Sequence, residues 1–113
     1  EIVLDKFRLV HAGFDPEREL KEQRDHERLW SREIFHSKIP IDERRQVIVG
    51  HTPVQQLDEM DNHGPWMSEL KLRDGRSAIV GIDTGICLDE SSLPRLTAMN
   101  LQDGELIVEE RSV

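Results

Sequence analysis

Two histidines, His11 and His51, stand where short apolar runs give way to small residues, an arrangement suited to holding a metal ion at strand ends. Phe7, Leu9 and Val10 lead into His11, with Ala12 and Gly13 after it; Val47, Ile48 and Val49 lead through Gly50 into His51, with Thr52 and Pro53 after it. The neighbouring glycines let the backbone turn tightly around whatever each ring holds. Ligands of open α/β sheets gather at the carboxyl ends of strands, so two imidazoles 40 positions apart can converge. Neutral imidazole is also the commonest metal ligand. Taken singly, each motif fits a structurally satisfied histidine better than a ligand. His26, His36 and His63 lie in charged or loop contexts and read as solvated side chains.

The elements that must position these residues follow from pattern and punctuation. Residues 2–4 and 7–10 read as a β-hairpin, or as one strand with a kinked start, around Asp5 and Lys6. Asp15 stands as an N-cap before Pro16, which predicts a helix over 17–23. Leu29, Trp30, Ile34 and Phe35 recur at one- and four-residue steps, which predicts an amphipathic helix over 26–35. Residues 37–41 read as a loop, 46–50 as a buried strand, and 55–66 as a surface loop anchored by Met60 and Trp66. Asp74-Gly75 between apolar runs predicts a hairpin of 68–72 with 78–82, closed by Asp83, Thr84 and Gly85; Asp103-Gly104 predicts a second one, of 96–101 with 105–108. The expected fold is therefore α/β, with a mixed sheet and helices near the N-terminal end, in one domain spanning 1–113.

Composition narrows the function classes. The 113 residues carry 23 acidic and 15 basic side chains, a formal net charge of -8, which argues against sequence-independent binding to a nucleic-acid backbone. A phosphate ester remains acceptable, because bound metal ions set the local charge at a site. Only 36% of residues are hydrophobic, so the core must be lean and a partner sheet or missing segment could complete it. Cys87 is the single cysteine, cannot form an internal disulfide, and reads as a small buried hydrophobe. With no apolar run long enough to span a membrane, no membrane partner and a cytoplasmic location are expected. The chain begins at Glu1 inside an apparent element rather than at a methionine, which reads as a cut N-terminus.

Taken in order, Val-His-Ala-Gly-Phe-Asp-Pro, Leu-Trp-Ser-Arg-Glu, Val-Gly-His-Thr-Pro-Val, Ile-Asp-Thr-Gly and Leu-Thr-Ala-Met give a series that resembles the bacterial phosphoprotein-phosphatase family of calcineurin-like metallophosphoesterases. The resemblance runs from about Phe7 to Glu105 and is weakest at 55–71 and 88–92. It implies a β-sandwich flanked by helices, of which this chain is the C-terminal portion. The earlier motifs Gly-Asp-x-His-Gly, Gly-Asp-x-x-Asp-Arg-Gly and Gly-Asn-His-Glu do not occur here, so the N-terminal half is a missing partner. Where relatives often have a glycine pair, this chain reads Leu88 to Arg95, longer and more acidic.

That resemblance implies two divalent metal ions, manganese or iron, with His11 and His51 ligating one of them. It places Arg32 on the substrate phosphate, a role that suits a guanidinium fork; read from the residues alone, Arg32 is a surface arginine pairing with Glu33 or Glu27. Asp83 is expected to support His51 rather than to ligate metal. The implied reaction is phosphoester hydrolysis by in-line attack of a hydroxide bridging two ions, as in a protein serine/threonine phosphatase. Two alternatives stay open: a dinucleoside-polyphosphate hydrolase, and a noncatalytic remnant or assembly module. Trp30 and Trp66 are expected in the core rather than on a nucleobase.

Overall fold

Parallel strands need long crossovers, and the three strands that pair in parallel here are separated by long connections, residues 11–45 and 50–78. In the computed structural model, which describes residues 1–57 and 64–112, β1 (Ile2–Val3) and β2 (Phe7–Val10) form a short antiparallel hairpin. β3 (Gln46–Val49) and β5 (Ile79–Gly81) continue the sheet in parallel with β2, and β4 (Trp66–Met67) closes it antiparallel to β5. The strand order is β1-β2-β3-β5-β4. β6 (Arg95–Met99) and β7 (Leu106–Glu110) make a separate antiparallel pair. The mixed sheet agrees with the sequence pattern, as do the β6–β7 pair and, of the two readings of 2–10, the hairpin. The strand expected over 68–72 falls instead at Trp66–Met67, inside the expected loop, with only an isolated Lys71–Ser77 bridge near the Asp-Gly turn; the loop anchor Met60 lies outside the described residues.

The helical expectations need correction. No α-helix forms over 17–23; the segment holds a 3-10 turn at Leu20–Glu22. The Gln23 side chain explains this, because its Oε1 accepts from Asp15 N at 2.8 Å while its amide donates to the Asp15 and Arg18 carbonyls. Asp15 caps no helix, and its Oδ1 accepts from Glu17 N in a local turn. The helix expected over 26–35 is two pieces: α1 (Asp25–Trp30) and a 3-10 turn at Glu33–His36. Ser31 adopts extended backbone at ψ 139, which lets the chain bend and drive Ile34 onto the backbone of Gly13.

One face of the sheet is the core. Val10, Val47, Val49 and Ile79 pack with Phe14, Ile34, Leu72 and Ala78, all buried, and Leu20, Phe35, Ile41, Trp66 and Leu70 seal the margin. Each buried Val, Ile, Leu or Phe among these contributes roughly 1.5–3 kcal/mol of transfer free energy. Trp66 meets Phe35 edge-on at 5.1 Å, as its core assignment required. Asp42 ties the strand entrance together, its Oδ1 accepting from Arg44 N and Arg45 N and its Oδ2 from Arg8 Nε and Nη2. Burial works against that charge, yet the backbone N–H of Arg44 and the Arg8 guanidinium outweigh it and hold the carboxylate below its usual range.

The opposite face is covered unevenly. Pairing register puts Ile2, Leu9, Ile48 and Val80 in one row across the sheet. Val80 and Ile48 are buried, Leu9 is half-buried and Ile2 is exposed, so cover falls away toward β1. An open apolar groove of about 400 Å³ results, lined by Ile2, Leu9, Ile48 and Ile82 and ending at His11.

Candidate metal centre

The carboxyl ends of β2, β3 and β5 lie side by side and deliver His11, His51 and Asp83 to one edge of the sheet. Their loops are fixed by main-chain bonds: Gly50 N donates to His11 O, Ala12 N to Arg28 O and Val54 N to Asp83 O. His11 Nε2 and His51 Nδ1 stand 3.2 Å apart, with the rings tilted by 60°. That distance is an ordinary hydrogen bond between the two rings, its donor set by the tautomers; two nitrogens bound to one ion at about 2.1 Å are separated by roughly 3.0–3.4 Å, so the same spacing also suits two ligands of a single ion.

His51 pays for its position in backbone conformation. Its φ of 65° lies in the left-handed region, shared among described non-glycine residues only by Leu93. Such conformations persist where the surroundings over-determine them and collect at functional sites. Burial, then the neighbouring His11, then the Arg32 charge all push the His51 imidazole below its ordinary pKa, with Asp83 pulling weakly the other way. The ring is therefore neutral at pH 7 and offers a lone pair. Beside it, Thr52 Oγ1 is buried with no hydrogen-bond partner among the described residues.

Arg32 pairs with neither Glu33 nor Glu27. Its Nη1 donates to Gln56 Oε1 at 2.8 Å, and the guanidinium stays exposed with its charge felt at His51. Glu27 is taken instead by Arg24, which contacts both carboxylate oxygens. Asp83 accepts from Gly85 N through Oδ1 and acts on His51 through its charge. His26 and His36 are exposed, as expected of solvated side chains, and His63 lies outside the described residues.

Two expectations are overturned. Cys87 is exposed rather than buried, because it lies in the turn after β5 rather than in a strand. Trp30 is 62% exposed and is no part of the core. It ends α1 at the point where the chain leaves the helix, and its ring stands perpendicular to His51 at 5.7 Å. Gln56 and Trp30 thus belong to the site although neither was expected there. The one available signal was that Trp30 stands two positions before Arg32.

Among the described residues, no group of three or more His, Cys, Asp or Glu side chains converges on a point. The two histidines are thus the only imidazole or acidic side chains the structure brings into ring contact at this edge among the described residues. No helix among the described residues is long and apolar enough to cross a membrane. Comparison with protein-family models, with characterised proteins and with solved structures returns no match.

Proposed function

We propose that this chain is the C-terminal portion of a calcineurin-like metallophosphoesterase, hydrolysing phosphate esters once an N-terminal half completes the site. The observation that carries the reading is the 3.2 Å approach of His11 Nε2 to His51 Nδ1 at the ends of adjacent parallel strands, beside an exposed arginine. Divalent ions, manganese or iron, would supply Lewis acidity toward the phosphoryl group when bound. His11 and His51 hold one of them, each through the nitrogen that faces the other ring. The surroundings of His51 keep it unprotonated for that purpose at neutral pH. Arg32, oriented by Gln56, offers its guanidinium to the phosphoryl oxygens and offsets the charge that builds there. Asp83 steadies the His51 loop by holding Gly85 and by accepting Val54 N through its carbonyl.

The apolar groove ending at His11 supports the need for a second half, since it offers a seat for a sheet that would bring carboxylate ligands to the exposed side of the histidine pair. Replacing His51 by Ala in the completed protein should abolish metal-dependent phosphatase turnover. Retention of full activity by that variant would sink the assignment. The assembly-module reading draws on the same groove together with the two-ligand count, and predicts that the completed protein binds no manganese at His11 and His51.

A further inference from the structure

An exposed indole is expensive to leave in water, and Trp30 is exposed beside a cleft large enough for a small molecule. The cleft, of about 850 Å³, is lined by Trp30, Ile39 and Pro16 on its apolar side and by Arg32 and Lys38, with His26 and His36, among its polar walls. Ile39 is 64% exposed, so the two large apolar side chains that border the cleft are both uncovered. Four acids line the wall: Glu27 is held by Arg24 and Asp15 by Arg18, while Glu17 and Glu33 add negative charge opposite the basic side chains. Trp30 is also tied to the metal-ligand candidates, because its ring meets His51 at 5.7 Å with perpendicular planes. Arg32, the phosphate-binding candidate, lines the same cleft two residues on.

Resting on the phosphoesterase reading, we propose that the alcohol released from the substrate is a phenol or a nucleoside, whose planar aromatic ring stacks on Trp30 inside this cleft while the phosphate meets Arg32. Trp30 is then the residue that sets specificity for the ester's organic half. A serine phosphate carries no flat ring and leaves the indole wet, whereas an aryl or nucleoside phosphate covers it. Stacking of one ring on an aromatic side chain corresponds to roughly tenfold or more in affinity.

The test follows the indole N–H signals of the intact chain by two-dimensional 15N–1H NMR, with Trp66→Phe used to assign the Trp30 signal. Phenyl phosphate, adenosine monophosphate and phosphoserine are titrated in turn, and the first two separate an aryl from a nucleotide source. The expected result is a saturable shift of the Trp30 signal by the aromatic esters at roughly tenfold lower concentration than by phosphoserine. Main-chain signals of Arg32 and Lys38 should report the same preference, lost in Trp30→Leu and kept in Trp30→Phe. Equal response to all three esters, no response to any, or an unchanged preference in Trp30→Leu overturns the proposal. Adenosine without phosphate distinguishes the two readings. Binding as tight as the monophosphate, with the Trp30 dependence intact, keeps the stacking site and removes the phosphoesterase. Metal-dependent turnover of phosphoserine in the completed enzyme, indifferent to Trp30→Leu, does the reverse.

Discussion

His51 combines a ring at the proposed site with a backbone that a side chain resists. At φ 65° a glycine meets no steric penalty while alanine does, so His51→Gly should be more stable than His51→Ala by about 1 kcal/mol, read from urea midpoints. On the proposed reading, manganese added to the completed protein should broaden the His11 ring signals, and both variants should lose that broadening. The ionisation of His51 gives a second expectation, for the metal-free chain. Burial, His11 and Arg32 depress its pKa in the folded state, so as pH falls below about 6.5 the unfolded chain takes up a proton that the folded chain still refuses. The stability that a neutral His51 contributes is thus fully present above that pH and is lost as pH falls through the folded pKa. His11→Ala removes the second of the three causes and should move the His51 titration midpoint upward in an NMR titration; an unmoved midpoint would show that burial and Arg32 act without His11. His11 and His51 were legible because strand exits can be read from local sequence. Trp30 was not, since periodicity records only that a residue is apolar and cannot say that the helix ends beneath it.

Short elements in this chain are shaped by single side chains. Gly13 is one such position: a Cβ there would lie 2.9 Å from Ile34 Cγ2 and 3.3 Å from Ser31 O, and Ile34 is wholly buried. Gly13→Ala should therefore cost about 1–3 kcal/mol in denaturant unfolding and loosen the loop that carries His11. Within α1, Glu27 is nearly covered and is held by Arg24, whose hydrogen bonds bring its pKa down to about 2 against the opposing effect of burial. A depressed carboxylate adds stability above its unfolded pKa, so this contribution should be whole above about pH 4.5 and vanish as pH falls toward 2. Glu27→Gln should lower the melting temperature at pH 7 and converge with the native chain near pH 2, by circular dichroism. The two Asp-Gly turns were legible because they carry their own conformation, Gly75 and Gly104 having φ of 90° and 77°. The helices were not, because Gln23 and the packing of Ile34 on Gly13 are tertiary contacts that override the local preference of 17–23 and 26–35.

Considered as a whole, the molecule has one finished face and one unfinished one. The core face collects Phe14, Ile34, Val47 and Val49 under full cover, whereas the reverse face runs from buried Val80 out to exposed Ile2 at the β1 edge. The histidine pair sits at the end of that open groove, with two ligand nitrogens where a hard ion wants four to six donors. On the phosphoesterase reading, the open apolar row and the unfilled ligand positions fall at the same place, where one added sheet would serve both. The chain alone should accordingly show no metal-dependent hydrolysis of a phosphopeptide or a diadenosine polyphosphate. Ile2→Lys tests the groove directly: Ile2 is 57% exposed, so the isolated chain should keep its melting temperature within about a degree, as surface substitutions generally do. In the completed protein the same lysine would be forced into an apolar interface without a counter-charge, and both assembly and turnover should fall by roughly tenfold or more. Full activity and normal assembly of the Ile2→Lys protein would mean that the second half sits elsewhere, and that the ions must be reached from the cleft beside Trp30 rather than from the groove beside His11.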